Sequence, residues 1–335
     1  MGIKVTMKIT KHKNTITYII KKLLIFIVSI FVLSVLVFVM SRMTPTDPLQ
    51  SYYGDRTEKM SVEQKAQARA RLGLDEPIPV QYAVWLENAV HGEFGISYKY
   101  KQPVLTVIEG RIGNTLILGG IGFVLTFVGA LLLGLLCAEH EDSFFDRLMR
   151  KAGTLSSCIP EFWLSLVLIL IFCVVWKVLP SSGAYTIGKE NCFADRIAHL
   201  ILPMTVIVLG HLWYYAYMIR NMLIEETRKD YVLLCRSKGL KKHQIMVRHC
   251  LRNILPAYIS MMAISVPHIL GGTYIVEMVF SYPGIGTLSY ESARYADYNM
   301  LMVLCLFTGI VVIFCNMLGQ AVSEQIDPRV RGRQG

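Results

Sequence analysis

Charge is scarce in this sequence: Asp, Glu, Lys and Arg make up 17% of its 335 residues, against 53% hydrophobic ones. A soluble domain carries about a quarter charged residues, so the bilayer is the solvent to reason about. A disulfide framework is missing as well. The eight cysteines form no C-x-x-C pair, and Cys137, Cys158, Cys173, Cys305 and Cys315 fall in or at the ends of apolar runs, where a thiol is apolar filler. Cys192 alone lies in a predicted external loop, with no evident partner there. Neither H-E-x-x-H nor G-x-S-x-G occurs, which argues against a membrane-embedded enzyme. Internal repeats and charges deep inside apolar runs are also few, which argues against a secondary transporter or channel.

What the sequence does hold is six apolar stretches, roughly 18–40, 112–138, 153–176, 197–219, 254–280 and 299–322. Each has the ~20 apolar residues that a helix needs to cross ~30 Å of hydrocarbon, and six crossings put both termini on one side. The fold class expected is therefore an all-α membrane protein with six transmembrane helices. The net charge of +10 sits at span ends and in one internal loop rather than on a basic face suited to nucleic acid. Lys4, Lys8, Lys11, Lys13, Lys21 and Lys22, the 220–252 loop, and Arg329, Arg331 and Arg333 are cytoplasmic by the positive-inside rule. The 41–110 segment is basic but balanced by acids, and long translocated loops largely escape that rule. The first apolar run exceeds a signal-peptide core and Met40-Ser41-Arg42-Met43 offers no cleavage site, so it reads as a retained helix.

The domains expected are a basic cytoplasmic extension (1–17), the first span (18–40), an external loop domain (41–111), a five-helix core (112–322) with a cytoplasmic loop at 220–253, and a cytoplasmic tail (323–335). Pro45 and Pro48 break the first helix. Ser61 to Leu72 reads as helical and stops at Gly73, and Tyr82, Trp85, Leu86 and Val90, followed by Phe94 and Tyr98, form an apolar stripe to bury against the membrane surface or the bundle. The second external loop, about Lys177 to Arg196, contains Gly183-Ala184-Tyr185-Thr186-Ile187-Gly188-Lys189-Glu190, close to a phosphate-binding loop. Glu190 replaces the hydroxyl that would hold magnesium and no strand precedes it, so no nucleotide site is expected. If ATP drives this protein, another subunit hydrolyses it.

The 220–252 loop is too long to lack structure of its own. Asp230 can cap a short helix in which Tyr231, Leu234 and Cys235 share a face. Gly239 supplies a left-handed stop, and a second helix runs from Lys241 towards Pro256. Such an element offers an amphipathic knob to a soluble partner and, attached to two spans, would act as a lever. Physics alone leaves this level with a basic hairpin resting on anionic lipid.

Within the spans, Pro256 and Pro267 with Gly271-Gly272 suggest a kinked, locally thin helix that lines a passage or packs closely. Glu277 with Tyr282-Pro283-Gly284 forms either a gate or a helix-ending turn at its external end. His199, His211 and His268, even beside Cys158 and Glu161, lack ligand spacing, so no metal site is expected and hydrogen-bonded packing is the plainer reading. Glu161 follows Pro160 at the start of the third span, at the interface. Trp213, Tyr214, Tyr215 and Tyr217 read as packing aromatics.

Asp230-Tyr231, Arg236-Ser237-Lys238-Gly239-Leu240 and His249-Cys250-Leu251-Arg252-Asn253 resemble the coupling loop of type I ABC importer permeases. The likeness continues through Gly271 to Gly286, ends in Asp327-Pro328-Arg329-Val330-Arg331, and takes in Pro45, Asp47-Pro48, Leu72-Gly73-Leu74-Asp75, Pro79-Val80-Gln81-Tyr82 and Gly92-Glu93-Phe94-Gly95-Ile96-Ser97. It covers nearly the whole chain except residues 1–17, and is to the dipeptide, oligopeptide and nickel branch. It implies a non-enzymatic permease of a bacterial plasma membrane, binding no cofactor itself. The partners implied are a second homologous permease, two ATPases that use ATP, and an external solute-binding protein. ATPase coupling falls to Asp230, Tyr231, Cys235, Lys238, Gly239, Leu240, His249, Arg252 and Asn253. The gate or pathway candidates are Pro256, Pro267, Gly271, Gly272, Glu277, Pro283 and Gly284. The cargo implied is small peptides or nickel and other metal chelates, moved by alternating access.

Overall fold

The computed structural model describes residues 2–43, 49, 53, 56–71, 73–156 and 158–326, with side chains left out at 2–19, 323, 325 and 326. Pro45, Asp47, Pro48, Leu72 and the Asp327 to Arg333 tail lie outside the described residues. Among the described residues every extended element is helical, and the one β-bridge joins Ile96 to Pro103. Five helices are long and apolar enough to cross a membrane: Ile20–Arg42, Val104–Glu139, Phe193–Thr227, Lys242–Val279 and Tyr298–Val322. The predicted third span differs. Its first residues belong to a separate helix that meets Glu161–Val175 at 102°, and a sixth span exists only if this bent pair is taken as one. Pro160 explains the break: its φ of −65° and ψ of 139° start the second helix in extended geometry, and the residue before a proline is driven from helical angles.

The chain divides into two compact units. The first holds residues 1–107 and 291–318. In it α1 (Gly2–Arg42) packs against α3 (Ile78–Val90), which follows α2 (Val62–Arg71). Ser61 starts α2 with a reciprocal capping box, its Oγ accepting from the Gln64 amide at 3.2 Å while the Ser61 amide donates to Gln64 Oε1 at 3.0 Å. Gly73, at φ +62°, ends it as expected. Tyr82 and Trp85 on α3 pack on the fully buried Phe38 of α1, and Tyr82 Oη lies 2.7 Å from Ser34 Oγ. The expected stripe is thus partly right: Val90, one step round the helix, is 78% exposed. Asp297, fully buried, accepts from the Met300 amide at 3.3 Å and from the Ser97 hydroxyl, and so caps the last helix, Tyr298–Ile326.

The second unit, residues 108–290 and 319–335, contains the main core. Its helices are α4 (Val104–Thr115, continuing from the first unit), α5 (Ile121–Glu139), α6 (Phe144–Ser156), α7 (Glu161–Ile169), α8 (Phe193–Thr227), α9 (Asp230–Ser237), α10 (Lys242–Ile245) and α11 (Leu251–Val279). Helix α8 packs along α5, α6, α7 and α11. Small residues on α5 make the contact close: a Cβ at Gly134 would lie 2.9 Å from Ile219 and 3.0 Å from the Ala216 carbonyl. The run Lys242–Val279 is one helix of 38 residues, about 57 Å at 1.5 Å per residue, nearly twice the hydrocarbon thickness. The run is longer than a crossing needs, and its first part is the predicted second helix of the 220–252 loop.

One buried ion pair joins α6 to α8. Asp146 is fully buried and Arg220 is 7% exposed; Nε and one terminal nitrogen of Arg220 each donate to a separate Asp146 oxygen at 2.7 Å. Bidentate geometry is the strong form of this contact, but removing one partner strands the other in a dry site. Asp146→Ala is expected to destabilise the folded protein by about 3–5 kcal/mol. The double variant Asp146→Leu, Arg220→Met should recover most of that loss. Thermal unfolding in detergent measures both.

Candidate functional site

The 220–252 loop folds as a helix, a left-handed turn and a second helix. Lys229 enters in extended geometry (ψ 152°) and Asp230 is the first residue of α9. Asp230 therefore does not cap the helix through its side chain, contrary to expectation; its carboxylate sits in the first turn, where the helix dipole favours it. At the other end Gly239, at φ +79°, donates to the Arg236 carbonyl at 2.9 Å while the Leu240 amide donates to Cys235 at 3.2 Å. This is the Schellman pattern, which needs a residue free to turn left-handed. The face that α9 buries is Val232 and Cys235 with Tyr231 beside them, whereas Leu234 is 56% exposed. The expected face is thus displaced: Leu233 and Leu234 point outward with Arg236 and Lys238.

What fixes α9 to the bundle is a residue the sequence reading passed over. Glu226, in the last turn of α8, is 6% exposed. It accepts hydrogen bonds from Tyr231 Oη at 3.0 Å and Asn253 Nδ2 at 2.8 Å, and pairs with the Lys229 ammonium. One carboxylate therefore ties the end of α8, the start of α9 and the start of α11. Cys250 Sγ lies 3.5 Å from the same phenol oxygen. Burial, with the Cys250 and Glu226 contacts, pushes the Tyr231 phenol well above its ordinary range, so it stays a donor at any physiological pH. A second tie joins α10 to the end of α5: the Lys242 ammonium donates to the Glu139 carbonyl, and His243 Nδ1 lies 3.1 Å from both Glu139 carboxylate oxygens. Of the predicted coupling residues, Tyr231, Cys235, Gly239, Leu240 and Asn253 belong to this framework. Asp230, Lys238 and Arg252 are exposed, and His249 is half-buried at its margin.

The predicted pathway residues separate into two places. Glu277, fully buried near the end of α11, accepts from Thr115 Oγ1 at 2.7 Å and from the amides of Gly286 and Thr287 at 2.7 and 3.2 Å. It thereby caps the helix Ile285–Arg294 from a distance. Asn114 holds the adjacent turn by donating to the Pro283 carbonyl at 2.8 Å, and a Cβ on Gly284 would run into the Glu277 carboxylate. Glu277, Pro283 and Gly284 are thus locked together. Pro256 and Pro267 both lie inside α11, Pro256 buried and Pro267 exposed.

Gly271 and Gly272 sit further along α11, and Gly272 receives Glu161. That carboxylate lies between helices. A Cβ on Gly272 would fall 2.5 Å from Glu161 Oε2, and one on Gly210 would fall 3.3 Å from Oε1. His211 Nδ1 is 3.4 Å from Oε1, and Oε2 is buried without a hydrogen-bond partner. His199 and His211 both face backbone carbonyls one turn back, at 2.9 and 3.1 Å. No group of three metal-ligating side chains occurs among the described residues. Tyr215 packs on Phe127 and His211, while Tyr214 and Tyr217 are 45% and 37% exposed.

Glu226→Ala removes the acceptor that joins the starts of α9 and α11 to the end of α8, a loss of about 1–3 kcal/mol. Trypsin should then cleave at Lys229 or Arg236 faster than in the wild-type protein while the spans stay resistant. Gly272→Ala is expected to destabilise because the Glu161 carboxylate must move. Combined with Glu161→Ala it should cost less than the sum of the single changes, which a double-mutant cycle on unfolding reads directly.

Two family models cover the chain. That of the binding-protein-dependent transport system inner membrane component matches residues 130–332, and its N-terminal companion matches 15–119. A Brucella suis protein named as a peptide permease is 32% identical over 94% of this chain and 98% of its own length. The oligopeptide transport system permease protein AppB of Bacillus subtilis is 31% identical over 93% and 98%. The metal-staphylopine import system permease protein CntB of Staphylococcus aureus is 29% identical over 94% and 98%. Among solved structures, a chain of the MetNI methionine ABC transporter in an inward-facing conformation matches with a TM-score of 0.54 and 17% identity, over 66% of this chain and 97% of that one, a likeness of fold alone. The chain belongs to the family of binding-protein-dependent transport system inner membrane components, and is a transmembrane permease subunit of an ABC importer.

Proposed function

We propose that α9 is the element through which an ATPase subunit drives this permease, and that the cargo is a small peptide or a metal chelate. The observation that carries the coupling reading is the Glu226 carboxylate, which holds α9 to both α8 and α11. A docked partner that displaces α9 moves two membrane helices with it, because breaking the link strands the buried Glu226 carboxylate. The side left outward, Leu233, Leu234, Arg236 and Lys238, combines apolar contact with positive charge and suits a groove on a soluble subunit. ATP is hydrolysed in that subunit; the near-miss at Gly183 to Glu190 forms no nucleotide site in this reading. Two ATPases, a second permease of the same family and an external solute-binding protein complete the transporter. Both termini and the 220–253 loop lie in the cytoplasm of a bacterial cell, and the 41–111 segment outside.

Alternating access follows from two discrete arrangements of the paired bundles, biased by nucleotide in the ATPases. Cargo as a peptide or metal chelate is supported by the relatives, one named for oligopeptides and one for metal-staphylopine. Choice between the two belongs to the binding protein.

Gly239→Pro tests the coupling reading, since proline fixes φ near −65° where this turn needs +79°. The variant is expected in the membrane at wild-type level, with cargo-stimulated ATP hydrolysis of the assembled complex cut to about a tenth or less, as loss of a docking contact worth at least 1.4 kcal/mol requires. Unchanged stimulation would contradict it. Uptake of labelled dipeptide and of nickel, with and without chelator, in cells with and without the gene separates the cargoes; a deletion that changes neither uptake removes both.

A further inference from the structure

Helix α6 takes no part in the coupling framework except through Asp146, yet its side chains fall on three separate strips. Asp146, Met149 and Gly153 face the bundle; Asp146 and Met149 are buried, and a Cβ on Gly153 would lie 3.2 Å from the Trp213 carbonyl of α8. On the opposite side Phe144, Leu148 and Leu155, at spacings of four and seven, are 81%, 53% and 64% exposed. Between these strips Arg147, Arg150, Lys151 and Thr154, with Leu155, line an open groove of about 610 Å³.

The charges facing that groove do not cancel. Asp142, 76% exposed, lies 3.3 Å from Arg150, and Arg147 Nε donates to the Asp142 carbonyl at 3.1 Å. Arg150 also lies 3.7 Å from Asp146, but that carboxylate is held by both donors of Arg220. Glu141 is engaged by Arg228 at 3.6 Å. Three cations thus stand against one exposed carboxylate. The apolar strip would be costly in water, and the 102° bend sets α6 across the direction of the helix that follows it, so it runs along the membrane plane when that helix crosses. A helix with an apolar strip and a basic flank is the form that lies in an interface, with its cations among anionic headgroups.

We propose that α6 is an interfacial helix whose Arg147 and Lys151 bind the phosphate of an anionic phospholipid headgroup, the acyl chains lying along Phe144, Leu148 and Leu155. The site rests on the chain's being a membrane protein and is independent of how α9 couples to its partner. Through the Asp146 and Arg220 pair it fixes α8, so the bound lipid steadies the helix that ends in Glu226.

The test uses the assembled transporter reconstituted in phosphatidylcholine containing spin-labelled phosphatidylglycerol or, separately, spin-labelled phosphatidylcholine, and reads the motionally restricted lipid. The wild-type complex is expected to favour phosphatidylglycerol. The variant Arg147→Gln, Lys151→Gln should bind it on the order of tenfold more weakly, as loss of two surface cations predicts, with unchanged thermal unfolding. Lys151→Glu alone should weaken it as well. An undiminished preference in both variants overturns the site. So does loss of ATPase co-purification without loss of lipid preference, which would make the groove a protein contact, and so does displacement of the lipid by excess inorganic phosphate, which would make it a free-anion site.

Discussion

A carboxylate withdrawn from water must be met by donors, and at the end of α8 that requirement organises how α8, α9 and α11 meet. Glu226 has three donors within reach, Lys229 and Tyr231 at the start of α9 and Asn253 at the start of α11. Desolvation makes these bonds costly to break, because the Glu226 carboxylate left behind stays buried. A loop that would otherwise be a mobile basic hairpin becomes an extension of two long helices. The left-handed turn at Gly239 and the tie from Lys242 and His243 to Glu139 close the same element from its other side.

Buried acid groups recur at the points where this permease has to hold its shape. Asp146 binds α6 to α8, Glu277 caps the helix beginning at Ile285, and Asp297 caps the last helix in the first unit. In a protein with few charges, each is spent on joining elements far apart in sequence. Glu161 differs, since one of its oxygens has no donor and it is received by glycines on α8 and α11. Those glycines explain Gly272 better than helix bending does: the missing Cβ is the space the carboxylate occupies.

Much of this was legible in the residues. Apolar runs located the crossings, the run from Ser61 to Leu72 with Gly73 marked α2 and its end, and Gly239 marked the turn after α9, because these depend on neighbours a few positions away. The expected third crossing, 153–176, ran across the bend because Gly153 to Ser156 end one helix and Glu161 begins the next, and an apolar count does not register the break that Pro160 makes between them. Glu226 was hidden for another reason. Its partners are three, five and twenty-seven residues away, and the last distance has no periodic signature; the one hint was an acidic pair, Glu225-Glu226, in a stretch otherwise basic. Leu234 was placed on the wrong face because α9 rests on its neighbours through Val232 and Cys235, which a count of apolar residues does not distinguish.

The central claim is that α9 and the two long helices beside it move as one body. It is tested most directly by pulsed spin-label distance measurement on the assembled transporter in a background with the native cysteines replaced. One label sits on Leu233 and a second on an exposed position of α8 in the same chain. The account predicts that this distance keeps one narrow distribution with and without ATP, while the separation between α9 and the same element of the proposed partner permease changes. A Leu233 distance that broadens or shifts with nucleotide while α8 stays still would contradict it, for α9 would then be swinging on a flexible tether.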